Sequence, residues 1–116
     1  MHNFKDLIVW TKARILVKEI YRISNLLPDT EKFGLKSQMQ RAAVSIPANI
    51  SEGCGRKTDP EMSRFLDISN GSSFELETLL TLCIDLEFVQ DVDCSVALAL
   101  NGEVQRMIHA LKQKFN

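Results

Sequence analysis

The chain predicts an all-α protein, an antiparallel up-down-up-down four-helix bundle. Three observations carry that prediction. Apolar residues recur every three to four positions through four long stretches, the period of one helix face. Only three prolines and five glycines punctuate 116 residues, too few for many short strands and turns. The connections between the four stretches are short, which favours antiparallel neighbours.

The first helix is expected over 5–26. Leu7, Trp10, Ala13, Val17, Ile20, Ser24 and Leu27 form its stripe, and Val9, Leu16 and Ile23 widen it. Its other side presents Arg14, Lys18 and Arg22, and Pro28 ends it. The second helix is expected over 36–53, with Ser37 and Gln40 as a capping box and Gly53 as its C-terminal cap. Met39, Ala42, Ala43, Ile46 and Ile50 make its apolar face, and Pro47 within it predicts a kink.

The third helix is expected over 59–87. It starts at a second capping box, Thr58 to Glu61, with Pro60 placed where its missing donor does no harm. Met62, Phe65, Leu66, Ser69, Ser72, Leu76, Leu79, Leu80, Cys83 and Leu86 are its core face. Gly71 in mid-helix costs about 1 kcal/mol against alanine, which predicts the close approach of another helix there. The fourth helix is expected over 94–115. Ala97, Leu100, Val104, Met107, Ile108, Leu111 and Phe115 face inward. There are no repeats or linkers, so residues 1–116 read as one domain.

Hydrophobic residues make up 45% and charged residues 25%, the balance of a soluble globular protein able to bury a core. The three cysteines, Cys54, Cys83 and Cys94, are odd in number and lack zinc or redox spacing, which predicts reduced, partly buried thiols. No signal peptide and no membrane span is visible, so a cytoplasmic place is expected. Net charge is −1, but residues 1–58 carry ten Lys/Arg against five Asp/Glu, and residues 59–116 four against ten. That asymmetry marks either an anionic partner for the basic half or two halves that attract each other.

Catalytic and cofactor chemistry find little to stand on. The histidines are His2 and His109, and the Glu-x-x-His pairs of di-iron bundles are absent, so neither metal nor other cofactor is expected. The run from Gly53 to Lys57 lacks the spacing of a phosphate loop. A polar track beside the second helix's apolar stripe holds Gln38, Arg41, Ser45, Asn49 and Glu52, and the third helix offers Ser69, Ser72 and Glu75 at the same spacing. These predict a polar seam, either structural or a ligand site, with Arg41 bonded to Glu75 or Glu52. Arg14, Lys18, Arg22, Arg56 and Lys57 are candidate RNA contacts. Phe74 falls on the polar side of its helix and is a candidate interface anchor.

Several tracts together resemble the 23S rRNA intervening-sequence proteins. They are FKDLIVW from Phe4 to Trp10, FGL from Phe33 to Leu35, and QMQRAAVSIPANISEG from Gln38 to Gly53. RFLDISNGS from Arg64 to Ser72 and ELE from Glu75 to Glu77 continue the match. The resemblance implies a four-helix bundle assembled with copies of itself as a ring, a homopentamer. It brings no catalytic residues, and it gives Arg41, Asn49, Glu52 and Glu75 no assigned role. The expected function is a non-enzymatic, ring-forming bundle that binds RNA or an RNA-associated complex. The alternative is an oligomeric scaffold for a protein partner with no nucleic-acid role.

Overall fold

A computed structural model describes residues 3–115. It contains four α-helices: α1 (Ile8–Ser24), α2 (Leu35–Cys54), α3 (Asp59–Asp85) and α4 (Asp91–Lys112). No strand occurs among the described residues. Each helix packs against the two beside it in the cycle α1-α2-α3-α4, and the backbones of the diagonal pairs stay farther apart. The α2–α3 contact is the most extensive. The bundle measures 43 × 24 × 20 Å.

Side-chain bonds show that neighbours run antiparallel. Met39 meets Cys83, Ile46 meets Ser69 and Gly53 meets Met62, so the start of α2 lies beside the end of α3. Arg22 reaches the Asp93 carbonyl and Lys12 pairs with Glu103, which sets α1 against α4 in the same sense. Of the two explanations for the charge asymmetry, attraction between the halves is represented by the Lys12–Glu103 pair at 2.5 Å.

Helix ends follow local hydrogen bonding more than the apolar period reveals. The segment Phe4–Asp6 is a separate 3-10 turn capped by Asn3, because Leu7 is extended; α1 therefore starts at Ile8. The Ser37–Gln40 capping box is not formed. Gly34 is the N-cap of α2, and the Glu31 carboxylate accepts the Leu35 amide hydrogen instead. Gln40 turns away to donate to Ser24 Oγ, pinning α2 to α1. Thr58 does cap α3, accepting from the Glu61 amide while its hydroxyl donates to the Glu61 carboxylate. The end of α3 is a Schellman turn: Phe88 N donates to the Cys83 carbonyl and Glu87 N to that of Ile84. Its left-handed residue is Glu87 (φ 63°), a position glycine usually fills. The helix thus stops two residues earlier than predicted. The start of α4 lies earlier too, at a box between Gln90 and Asp93.

The core takes the predicted faces with few exceptions. Val9, Leu16, Ile20 and Ile23 of α1 meet Met39, Ala43, Ile46 and Ile50 of α2, Leu66, Leu76 and Leu80 of α3, and Val104 and Ile108 of α4. Leu86 is exposed because the chain has already left the helix. Cys94 and Asn101 are fully buried on α4. Gly53 takes the close-approach role predicted for Gly71, and the cap predicted for Gly53 falls to Gly55. Gly53 is inside α2, and a Cβ there would lie 2.8 Å from Met62 Sδ and 3.0 Å from Phe65 Cβ; Gly55 is the cap. Gly71 is exposed with nothing within 4 Å of a Cβ, so no helix approaches it. The small residues that face inward in mid-α3 are Ser69 and Ser73, both buried. Helix α2 continues through Pro47 without a break, and Ser69 Oγ donates to the Ile46 carbonyl one residue before it.

Candidate functional site

The predicted polar seam is assembled between α2 and α3. Ser45 Oγ and Ser72 Oγ lie 2.7 Å apart, and Asn49 Nδ2 donates to both the carbonyl (2.8 Å) and the hydroxyl (2.9 Å) of Ser45. Periodicity explains the meeting: Ser45 and Asn49 are one turn apart beside the buried Ala42 and Ile46, and Ser72 adjoins the buried Ser69 and Ser73. The seam opens to a surface cleft of about 350 Å³ lined by Gln38, Arg41, Ala42, Ser45, Ser72 and Glu75. A second cleft, about 390 Å³, lies on the α1 side and also includes Arg41 and Ser45.

The predicted ion pairs of the seam do not form. Glu52 pairs with Arg56 one turn on, at 2.6 Å. No ion pair among the described residues joins Arg41 to Glu75 or to Glu52. The cause is position: Arg41 and Glu75 both stand exposed at the cleft rim, where water solvates them, whereas Arg56 is a helical neighbour of Glu52.

The five basic candidates do not form one patch. Arg14, Lys18 and Arg22 run along the exposed side of α1. Arg14 lies over the Trp10 ring, 4.7 Å from its centroid. Arg22 is engaged by Glu19 at 2.9 Å and by the Asp93 carbonyl at 3.1 Å. Arg56 and Lys57 sit in the α2–α3 turn, at the end of the bundle opposite Arg22, and Arg56 also covers the Phe65 ring. Of the five, Arg14, Lys18 and Lys57 have no acidic partner among the described residues.

Phe74 is 56% exposed on the outer face of α3. It borders a shallow groove with Glu77, Thr78, Thr81 and Leu82. The Thr78 and Thr81 hydroxyls are turned back onto the Phe74 and Glu77 carbonyls of their own helix. The sequence reading missed a second polar cluster, between α3 and α4. Asn101 Nδ2 donates to the Ser73 carbonyl at 2.9 Å, while Asn101 Oδ1, Ser73 Oγ and Asn70 Oδ1 are buried without a protein partner. Asparagine on an otherwise apolar helix face was the available signal.

The three thiols are free and buried, and burial pushes each one's pKa up. Cys83 is raised from 9.0 to about 11, by burial first, then by Cys94 and Glu31; its Sγ contacts Met39 Sδ at 3.4 Å. A folded pKa above the unfolded one means that this contribution to stability is whole below pH 9.0 and is lost as pH rises toward about 11. All three thiols should therefore react with a disulfide reagent at pH 8 far more slowly in the native than in the unfolded protein, as measured by absorbance of the released thiolate.

The arrangement defines a class first: a four-helix bundle with a polar surface cleft and no assembled nucleophile–base pair in that cleft. No helix among the described residues is long and apolar enough to cross a membrane. The family described as 23S rRNA-intervening sequence protein matches residues 5–110, and the chain belongs to that family. It is similar in fold to a crystal structure from Bacteroides thetaiotaomicron described as a protein of unknown function from the S23 ribosomal protein family. That likeness has a TM-score of 0.84 and 21% identity, covering 90% of this chain and 98% of the other. No curated protein matches the chain significantly.

Proposed function

We propose that the chain is a non-enzymatic assembly module, whose copies join in a closed ring through their outer helix faces and present a platform to a partner. The observation that carries this reading is the row of large apolar side chains on surfaces the bundle leaves uncovered. Phe74 and Leu82 lie eight residues apart on α3, and Val92 (72% exposed) and Val96 (59%) lie one turn apart on α4. Scattered exposed leucines are ordinary, but an aromatic beside a groove is the kind of group that anchors interfaces. Five copies is the number the family resemblance supports. Phe74→Asp tests the proposal. An exposed position should leave thermal stability within about 0.5 kcal/mol, while sedimentation should show the assembly falling to smaller species. An unchanged assembly would remove Phe74 from the interface and this reading's main support.

A second reading, RNA as the partner, is favoured by Arg14 and Lys18. They stand one turn apart, exposed and without acidic partners among the described residues. Contacts of this kind go to phosphate, without base selectivity, and weaken steeply with salt. Charge reversal at both positions should lower RNA retention at low ionic strength and flatten its salt dependence. Retention that ignores the reversal would leave the scaffold reading alone.

A further inference from the structure

Chemistry fixes the direction of one hydrogen bond in the α2–α3 seam. The Ser45 carbonyl can only accept, so the Asn49 atom 2.8 Å from it must be the amide nitrogen. The same nitrogen donates to Ser45 Oγ, and the bond between Ser45 Oγ and Ser72 Oγ can be donated by either hydroxyl. With Ser45 as the donor, Ser72 keeps its hydroxyl hydrogen for a ligand at the lining of the cleft. Arg41, Gln38 and Ala42 share that lining. Glu75 completes the lining as an anionic acceptor. Neither Arg41 nor Glu75 has an opposite charge within ion-pair distance among the described residues.

A bare anion drawn to Arg41 would be repelled by Glu75, and a bare cation would meet the reverse. A molecule carrying both charges answers both groups. We propose that this cleft binds a small zwitterion of the α-amino-acid class. Its carboxylate lies on Arg41 and the Ser72 hydroxyl, and its ammonium group on Glu75. A volume of about 350 Å³ leaves room for a side chain as well. This binding goes beyond the assembly reading and does not depend on it, because all the groups come from one chain.

The test is a titration of the 15N-labelled full chain with L-leucine, followed by amide resonances at Arg41, Ser45 and Ser72. Isocaproate and isoamylamine, each lacking one charge, serve as controls. Leucine should give saturable shifts at these three positions, with both controls weaker by about tenfold or more. Ser72→Ala should weaken leucine binding about tenfold while the melting temperature stays close to wild type. Arg41→Met should abolish it. The proposal is overturned if leucine gives no saturable shift, if either control binds as well as leucine, or if binding survives Arg41→Met. It is also overturned if Arg41→Met lowers the assembly's mass and leucine has no effect on the wild type, since Arg41 would then serve the contact between copies.

Discussion

Replacing Asn101 by aspartate should destabilise the bundle by about 3 kcal/mol or more at pH 7. The change is nearly isosteric, so packing is preserved and the cost is electrostatic. Asn101 is 1% exposed, its Nδ2 serves the Ser73 carbonyl, and its Oδ1 has no partner among the described residues. A carboxylate there would face the Ser73 carbonyl oxygen without a hydrogen to offer. Burial raises the folded pKa of such a group above its unfolded value of about 4. The stability of the protonated form is whole below that unfolded value and is lost as pH rises through the folded pKa. Urea titrations of Asn101→Asp at pH 7 and near pH 4 should therefore show a large deficit at the first and most of it gone at the second. An equal deficit at both would mean that shape, not charge, governs the site.

The second large effect concerns two glycines that look alike in sequence and oppose each other in the structure. Gly53→Val should cost about 1–3 kcal/mol. Its Cβ alone would stand 2.8 Å from Met62 Sδ and 3.0 Å from Phe65 Cβ, and Phe65 Cβ is too close to its backbone to swing aside. The α2–α3 hairpin would have to open where it closes most tightly. Gly71→Ala should instead gain about 0.5–1 kcal/mol, because the added methyl meets nothing within 4 Å and removes a mid-helix entropy cost. Thermal melts of the two variants should move in opposite directions from wild type.

That pair also shows where sequence reading reaches and where it stops. Periodicity placed α1 to α4 and nearly all of their buried faces, because a three-to-four spacing is a direct consequence of helical geometry. Periodicity does not report which polar group wins a free amide at a helix end. Glu31 took the cap of α2 from Ser37, and Glu87 adopted the left-handed turn without any glycine to announce it. Spacing likewise brought Ser45, Asn49 and Ser72 into one seam before their bonds were visible. It did not reveal that Arg56 takes Glu52 from Arg41, because the choice depends on rotamers and exposure at the rim. Asn101 was overlooked because its neighbours in sequence, Leu100 and Val104, made the helix face read as apolar. Phe74 was legible because one aromatic on a polar face is conspicuous in the pattern itself.

The measurement closest to the central claim is the mass of the wild-type protein in solution, by light scattering during size exclusion across a range of concentrations. Assembly through the outer faces predicts one species several times the 13.1 kDa of a single chain, retained on dilution. A mass of 13.1 kDa at every concentration would contradict it, and Phe74, Leu82, Val92 and Val96 would then be ordinary exposed side chains.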